Sequence, residues 1–221
     1  MTPNPVIRWI AVCLLLGIPL IAQPSPERQV RMVVKATSPR FPKGSFAEKP
    51  KVIHRLGDRF ARIEEESNPD TKLHLLIVCK APDTWMVNRA DGTGKHLVDP
   101  DPKGEVRFPM FPKEGMPVGF PPSLANLEFG REVQYFDSFK APYTPMKTPM
   151  GEMVKQVLGT EDWTLILVRK EEKGVPAFLF LMNKEGIFTV YEYLEFQFLP
   201  SPDLKLFEAP AEIRYAEQSA S

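Results

Sequence analysis

The residues of this 221-residue chain whose types could do chemistry are His54, His74 and His96, Cys79, the glutamates 64–66 and the Gly-Thr-Gly triplet at 92–94. Histidine serves as metal ligand or general base only with partners at the right spacing. These three stand about twenty positions apart on separate predicted strands, with no His-Glu-x-x-His, paired cysteines or Asp-rich calcium loop nearby. They read as surface or hairpin residues, and no metal is expected. A cysteine nucleophile needs a base to activate it. Cys79 ends the apolar run Leu-His-Leu-Leu-Ile-Val-Cys, where a small buried hydrophobe is the simpler reading. Carboxylate catalysis needs two groups in differently tuned environments, whereas neighbours along a strand point to opposite faces. Glu64–Glu66 therefore reads as a solvated strand edge that discourages edge-to-edge pairing. The glycine pair lacks the third glycine and following helix of a dinucleotide loop and suits a hairpin turn. No nucleophile elbow surrounds a serine and no phosphate-cradling loop is present. An enzyme would need a constellation concealed by sequence order, such as Cys79 or Ser138 beside a histidine. The chain reads as a non-enzymatic binding protein without a cofactor.

The elements that would position these residues are mostly strands. From Trp163 to Pro210 the sequence runs WTLILVRK, EEKG, VPAFLFLMNKEG, IFTVYEYLEFQF and LPSPDLKLFEAP: apolar runs separated by charged, glycine-bearing turns, the spacing of an antiparallel meander. Upstream, 29–37 alternates as a first strand and 51–67 reads as a hairpin about Gly57 and Asp58. Residues 72–79 form a nearly continuous apolar run suited to a central strand. ThrTrpMetValAsn and LysHisLeuVal then flank a five-residue hairpin loop. Residues 127–136 read as a turn or helix end leading into a strand. Met150, Met153, Val154, Val157 and Leu158 follow a helical period, with Thr148 placed as N-cap, Pro149 at the first position and Gly159 past the end. This spacing predicts a short amphipathic helix over 148–159. The fold class is mainly β (α+β): a curved antiparallel sheet with one or two short helices, in one domain spanning 29–216.

Composition bounds the remaining classes. Lys+Arg and Asp+Glu balance at 28 each, so no global field draws nucleic acid. The 24 prolines are roughly twice the usual share and mark stiffened connections. Ten of them lie in 99–150, interleaved with Phe108, Met110, Phe111, Phe120 and Phe129, which suits an ordered irregular cover better than a disordered linker. At the N-terminus, Arg8 precedes the uncharged apolar run 9–21 and then Ala22, the layout of a cleaved signal peptide over 1–22. An uncleaved anchor is the alternative, and the run is shorter than the roughly 20 residues of a span. Removal of the signal leaves Cys79 alone, so folding rests on core burial without an internal disulfide. The protein is expected in the periplasm or secreted, as a monomer.

One excess remains: large apolar side chains on predicted sheet faces. Trp85, Trp163, Phe178, Phe180, Met182, Tyr191 and Tyr193 are the candidates to line an apolar cavity. Residues 178, 180 and 182 share one face and Ala177, Leu179 and Leu181 the other, so both faces require a cover. An ordinary core under the proline-rich segment is the alternative, and the residues taken alone favour it.

The tail weighs on the other side. Leu199, Pro200, Asp203, Leu204, Phe207 and Pro210 resemble the closing pattern of LolA-like proteins, the envelope lipoprotein carriers and their relatives. Gly174, Val175 and Pro176 are similar to that group's entry into its late strands. The resemblance is specific over the last forty or so residues and loose elsewhere. It implies a half-open barrel with helices across its concave side, and a lipid, acyl chain or lipoprotein as ligand. The other expectation is an envelope sensor or protein-interaction module of the same fold with a solid core and an envelope protein partner. No ligand-binding residue transfers position by position, and the proline-rich stretch departs from the group's helical lid.

Overall fold

The structure, a computed structural model, describes residues 28–42, 48–100, 104–111, 116, 119–170 and 174–216. The expected signal segment lies outside these residues. Period-two patterning produces strands almost throughout. β1 (Gln29–Thr37), β2 (Lys51–Leu56), β3 (Phe60–Glu65), β4 (Leu75–Lys80), β5 (Asp83–Asn88) and β6 (Thr93–Val98) form the first half. α1 (Pro122–Ala125) and α2 (Glu132–Ser138) follow within the connecting segment. β7 (Thr144–Thr148), β8 (Gly151–Gly159), β9 (Trp163–Lys170), β10 (Pro176–Asn183), β11 (Gly186–Phe198) and β12 (Arg214–Ala216) complete the chain.

All twelve strands belong to one sheet, in the order β12-β6-β5-β4-β3-β2-β1-β11-β10-β9-β8-β7. Two meanders, β1–β6 and β7–β11, are joined where β1 pairs with β11, from Val30 opposite Phe198 to Thr37 opposite Val190. Every pairing is antiparallel except the last, where β12 lies parallel to β6. The sheet is curved and stays open, with β12 and β7 as its edges. This is the architecture that the resemblance to LolA-like proteins implies.

The two faces are covered by different parts of the chain. The described residues of 104–141 lie over one face, here the inner face. Their Phe108, Met110, Phe111, Leu124, Leu127 and Phe136 join Met32, Ile53, Leu165, Leu167, Leu179 and Leu181 of the strands in one buried cluster. The outer face of β2–β6 is covered by the tail. Phe207, in a 3-10 turn at Leu204–Phe207, is fully buried with Leu56, Leu76, Val78 and Val87. Arg62 fastens this tail by donating from Nη1 to the Leu206 carbonyl at 3.1 Å. Phe207 thus seals a sheet face. On the outer face of β8–β10, Met153, Val168 and Ala177 are buried with Ile166, Phe178 and Phe180 packed against them.

Two expectations are corrected. Residues 148–159 are not a helix: 151–159 form β8, paired with β7 and β9. The apolar positions fit both periods, but neighbours across the strand decide, placing Leu158 with the inner cluster and Met153 with the outer one. The signals read as a helix start instead make the hairpin. The Met150 N–H donates to Thr148 Oγ1 at 3.2 Å and Gly151 takes φ +110°. In addition, 127–136 leads into helix α2 and not into a strand. The proline-rich segment is correspondingly divided: Pro145 sits in edge strand β7, where a missing N–H is tolerated.

Candidate apolar site

The inner face is where apolar side chains of the sheet and the proline-rich segment converge. Phe120 meets Trp163 edge-on at 5.2 Å between ring centroids, and Trp163 meets Phe188 at 5.3 Å. Phe111 and Phe129 approach Tyr191 at 5.8 and 5.6 Å. Rings in these edge-to-face geometries add modestly to the burial term that drives the contact. The cover contributes rings and methionines but little regular structure, because its prolines interrupt any ladder.

Polar contacts fix the cover at a few points. The Tyr191 hydroxyl donates to the Met110 carbonyl at 2.8 Å. The Tyr193 hydroxyl donates to Glu132 Oε1 at 2.7 Å, and the Gly130 N–H donates to the same oxygen at 2.9 Å. Arg55, almost wholly buried on β2, donates from Nε to the Gly57 carbonyl and from Nη1 to the Phe129 carbonyl, both at 3.0 Å. Its Nη1 also lies 2.7 Å from Glu128 Oε2, at ion-pair distance but off hydrogen-bond geometry. Gly130 permits this approach: its φ is +81°, and a Cβ there would lie 3.1 Å from Met32 Cε and 3.3 Å from Arg55 Cδ.

Burial governs the titration of these groups. It raises the Glu132 carboxyl above its ordinary range despite the donors from Tyr193 and Gly130, and Glu132 Oε2 has no partner. Burial, and then the neighbouring Glu132 charge, pushes the Tyr193 phenol up; burial alone raises Tyr191. Burial thus favours the neutral form of each of these groups.

Trp163, Tyr191 and Tyr193 of the predicted lining come together on the inner face. The register places Leu179 opposite Tyr191 and Phe178 opposite Glu192, so Phe178 and Phe180 lie on the outer face. Met182 lies one residue before the end of β10, half-buried opposite Thr164 and Ile187. Trp85 belongs to the cluster under the tail, its ring stacked 5.2 Å from His96. Glu132, Arg55 and Gly130 escaped the sequence reading, since no local pattern announces a partner sixty or more residues away.

The reactive side chains are occupied elsewhere. His54 Nδ1 lies 3.2 Å from Gln29 Nε2; burial, then the charges of Arg31 and Arg62, depress its pKa. His74 lies 3.5 Å from Glu64, and His96 Nε2 lies 2.7 Å from Asp83 Oδ1. Cys79 is buried and accepts from Thr84 Oγ1 at 3.6 Å, and burial raises its thiol pKa. It borders a cleft of about 130 Å³ also lined by Asp99, Glu105 and Arg107. Ser138 donates to the Tyr135 carbonyl at 2.7 Å.

No family model matches the sequence, and no curated protein matches it. Among solved structures, the chain is similar to an uncharacterized conserved protein from Thermus thermophilus. Identity is 10%, coverage 87% of this chain and 91% of that one, and the TM-score 0.49. It is similar to the Pseudomonas aeruginosa MucA/MucB complex structure at 10% identity, covering 86% of this chain and 58% of that one, with a TM-score of 0.43. A putative outer membrane lipoprotein-sorting protein domain from Vibrio parahaemolyticus gives 10% identity, 81% and 88% coverage, and a TM-score of 0.35.

Proposed function

We propose that this is an exported envelope protein that takes up the apolar chain of a lipid or lipoprotein on the inner face of its sheet. The observation supporting this is the cover itself. A segment poor in regular structure fills the inner face with its own Phe111, Phe120 and Phe136, and polar contacts hold it at a few points. An acyl chain can take the place of those side chains when the segment moves aside. Each buried methylene contributes about 0.8 kcal/mol, so part of a chain suffices for useful affinity. No charge is needed to hold the tail. Organic extraction or native mass spectrometry of the protein from its own envelope should recover lipid or lipoprotein. An empty protein that also shows no saturable uptake of a fluorescent fatty acid would rule the reading out.

A second reading, a protein-interaction module with a solid core, is favoured by the outer face. There Phe178, Phe180 and Ile166 are only partly buried and Val157 is 44% exposed. On that reading Phe180→Glu abolishes co-elution with an envelope partner and leaves fatty-acid uptake unchanged. Uptake lost together with partner binding would count against it.

A further inference from the structure

Arg169 is anomalous among the polar groups of the sheet. It continues the inner-face row of Leu165 and Leu167 at the end of β9, opposite Val154 and Pro176. It is 8% exposed, and its Nε is buried without a hydrogen-bond partner. Among the described residues no carboxylate lies at ion-pair distance from it. Its guanidinium carbon sits 4.6 Å from the centroid of Tyr143, a ring that is itself 50% exposed. Tyr143 is held by donating its hydroxyl to Asp137 Oδ1, the oxygen that also accepts from Gln156 Nε2 at 3.1 Å. Gln156, 1% exposed, spends its amide N–H groups on Asp137 and on the Ala141 carbonyl at 3.0 Å, and its Oε1 has no partner.

Asp137 gives Arg169 no direct pair; against burial, hydrogen bonds from Tyr143 and Gln156 and then the Arg169 charge hold the Asp137 carboxyl below its ordinary range. A buried guanidinium nitrogen without a hydrogen bond, here Nε, is costly unless something accepts from it. Its planar fork of donors matches a carboxylate or a phosphate. Tyr143 roofs this fork from the solvent side and can rotate outward, since half of its surface already faces water. We propose that Arg169 receives the anionic headgroup, carboxylate or phosphate, of an amphiphile whose apolar chain lies on the inner face, with Tyr143 as the displaceable roof. This rests on the apolar-chain reading above.

The test uses the full chain and three probes with one tail: dodecanoate, dodecyl phosphate and dodecanol, titrated at about pH 8 where the acids are ionised. The wild-type protein should bind at least one anionic probe about tenfold more tightly than dodecanol, the effect expected of a charge-assisted pair. Tighter binding of dodecanoate points to a fatty-acid source and tighter binding of dodecyl phosphate to a phospholipid source. Arg169→Gln should bring the preferred anion to the dodecanol level and leave dodecanol unchanged, while Arg169→Lys should retain part of the preference. Equal binding of all three probes by the wild type overturns the proposal and leaves the apolar-chain reading standing; this arm needs no variant to fold. A preference that persists in Arg169→Gln also overturns it. Absence of binding by every probe defeats both.

Discussion

The hydroxyl of Tyr193 on β11 and the carboxyl of Glu132 on α2 meet at 2.7 Å inside the protein, both residues buried. An acid whose folded pKa lies above its unfolded one is kept protonated by the folded chain in the interval between. There the unfolded chain has already released its proton, so stability falls as pH rises from the ordinary 4.5 through the raised value and is level beyond it. Glu132→Gln should flatten that part of the stability profile, measured by urea unfolding at a series of pH values. Parallel profiles for variant and parent would remove Glu132 from the pH dependence. Tyr193→Phe strips one donor and should destabilise by about 1–3 kcal/mol.

Gly130→Ala meets two obstacles, a left-handed backbone and the contacts with Met32 and Arg55. A loss of about 1–3 kcal/mol is expected from the backbone alone. Gly92, at φ +68° with nothing within 4 Å of where a Cβ would sit, supplies the comparison. Thermal unfolding should show Gly130→Ala less stable than Gly92→Ala; equal losses would mean that the cover yields freely at this point.

Arg55→Leu removes the cation between β2 and the 128–129 backbone and leaves Glu128 partly buried without it. Breaking such a pair costs about 3–5 kcal/mol. Limited proteolysis should then cut within 104–131 sooner than within the strands. An unchanged cleavage pattern would show that the apolar contacts alone hold the cover.

Phe207→Ala empties a fully buried site 5.4 Å from the ring of Phe60. A loss of about 3–5 kcal/mol is expected. A melting temperature equal to the parent's would mean that the tail contributes nothing to the outer-face core.

Most strands were legible because alternation and glycine turns coincide, as in the Lys51–Leu56 and Phe60–Glu65 hairpin and in the late meander. The 148–159 segment misled because Met153, Val154, Val157 and Leu158 satisfy both periods, and only a partner strand could arbitrate. Trp163, Tyr191 and Tyr193 could be picked out from residue type alone as members of an apolar cluster. Their separation from Phe178 and Phe180 depends on register, with Leu179 facing Tyr191, and a single strand does not state its neighbour's phase. Arg169 and Glu132 looked like ordinary charges in sequence; burial made them otherwise, and burial depends on distant chain.

The seam between β1 and β11 also sets a schedule. Strands 1 to 6 can pair in the order of synthesis, each with the one before it. The second edge of β1, however, must wait for Phe198 and its neighbours, which arrive after most of the chain has emerged. Until then a strand with Val30, Met32 and Val34 on one face keeps a row of amides and carbonyls open to any passing strand. Closure across so long a stretch of chain is slow, and the open edge is exposed while it waits. Mutations in β11 should therefore lower the yield of folded protein more than they lower the stability of the finished one.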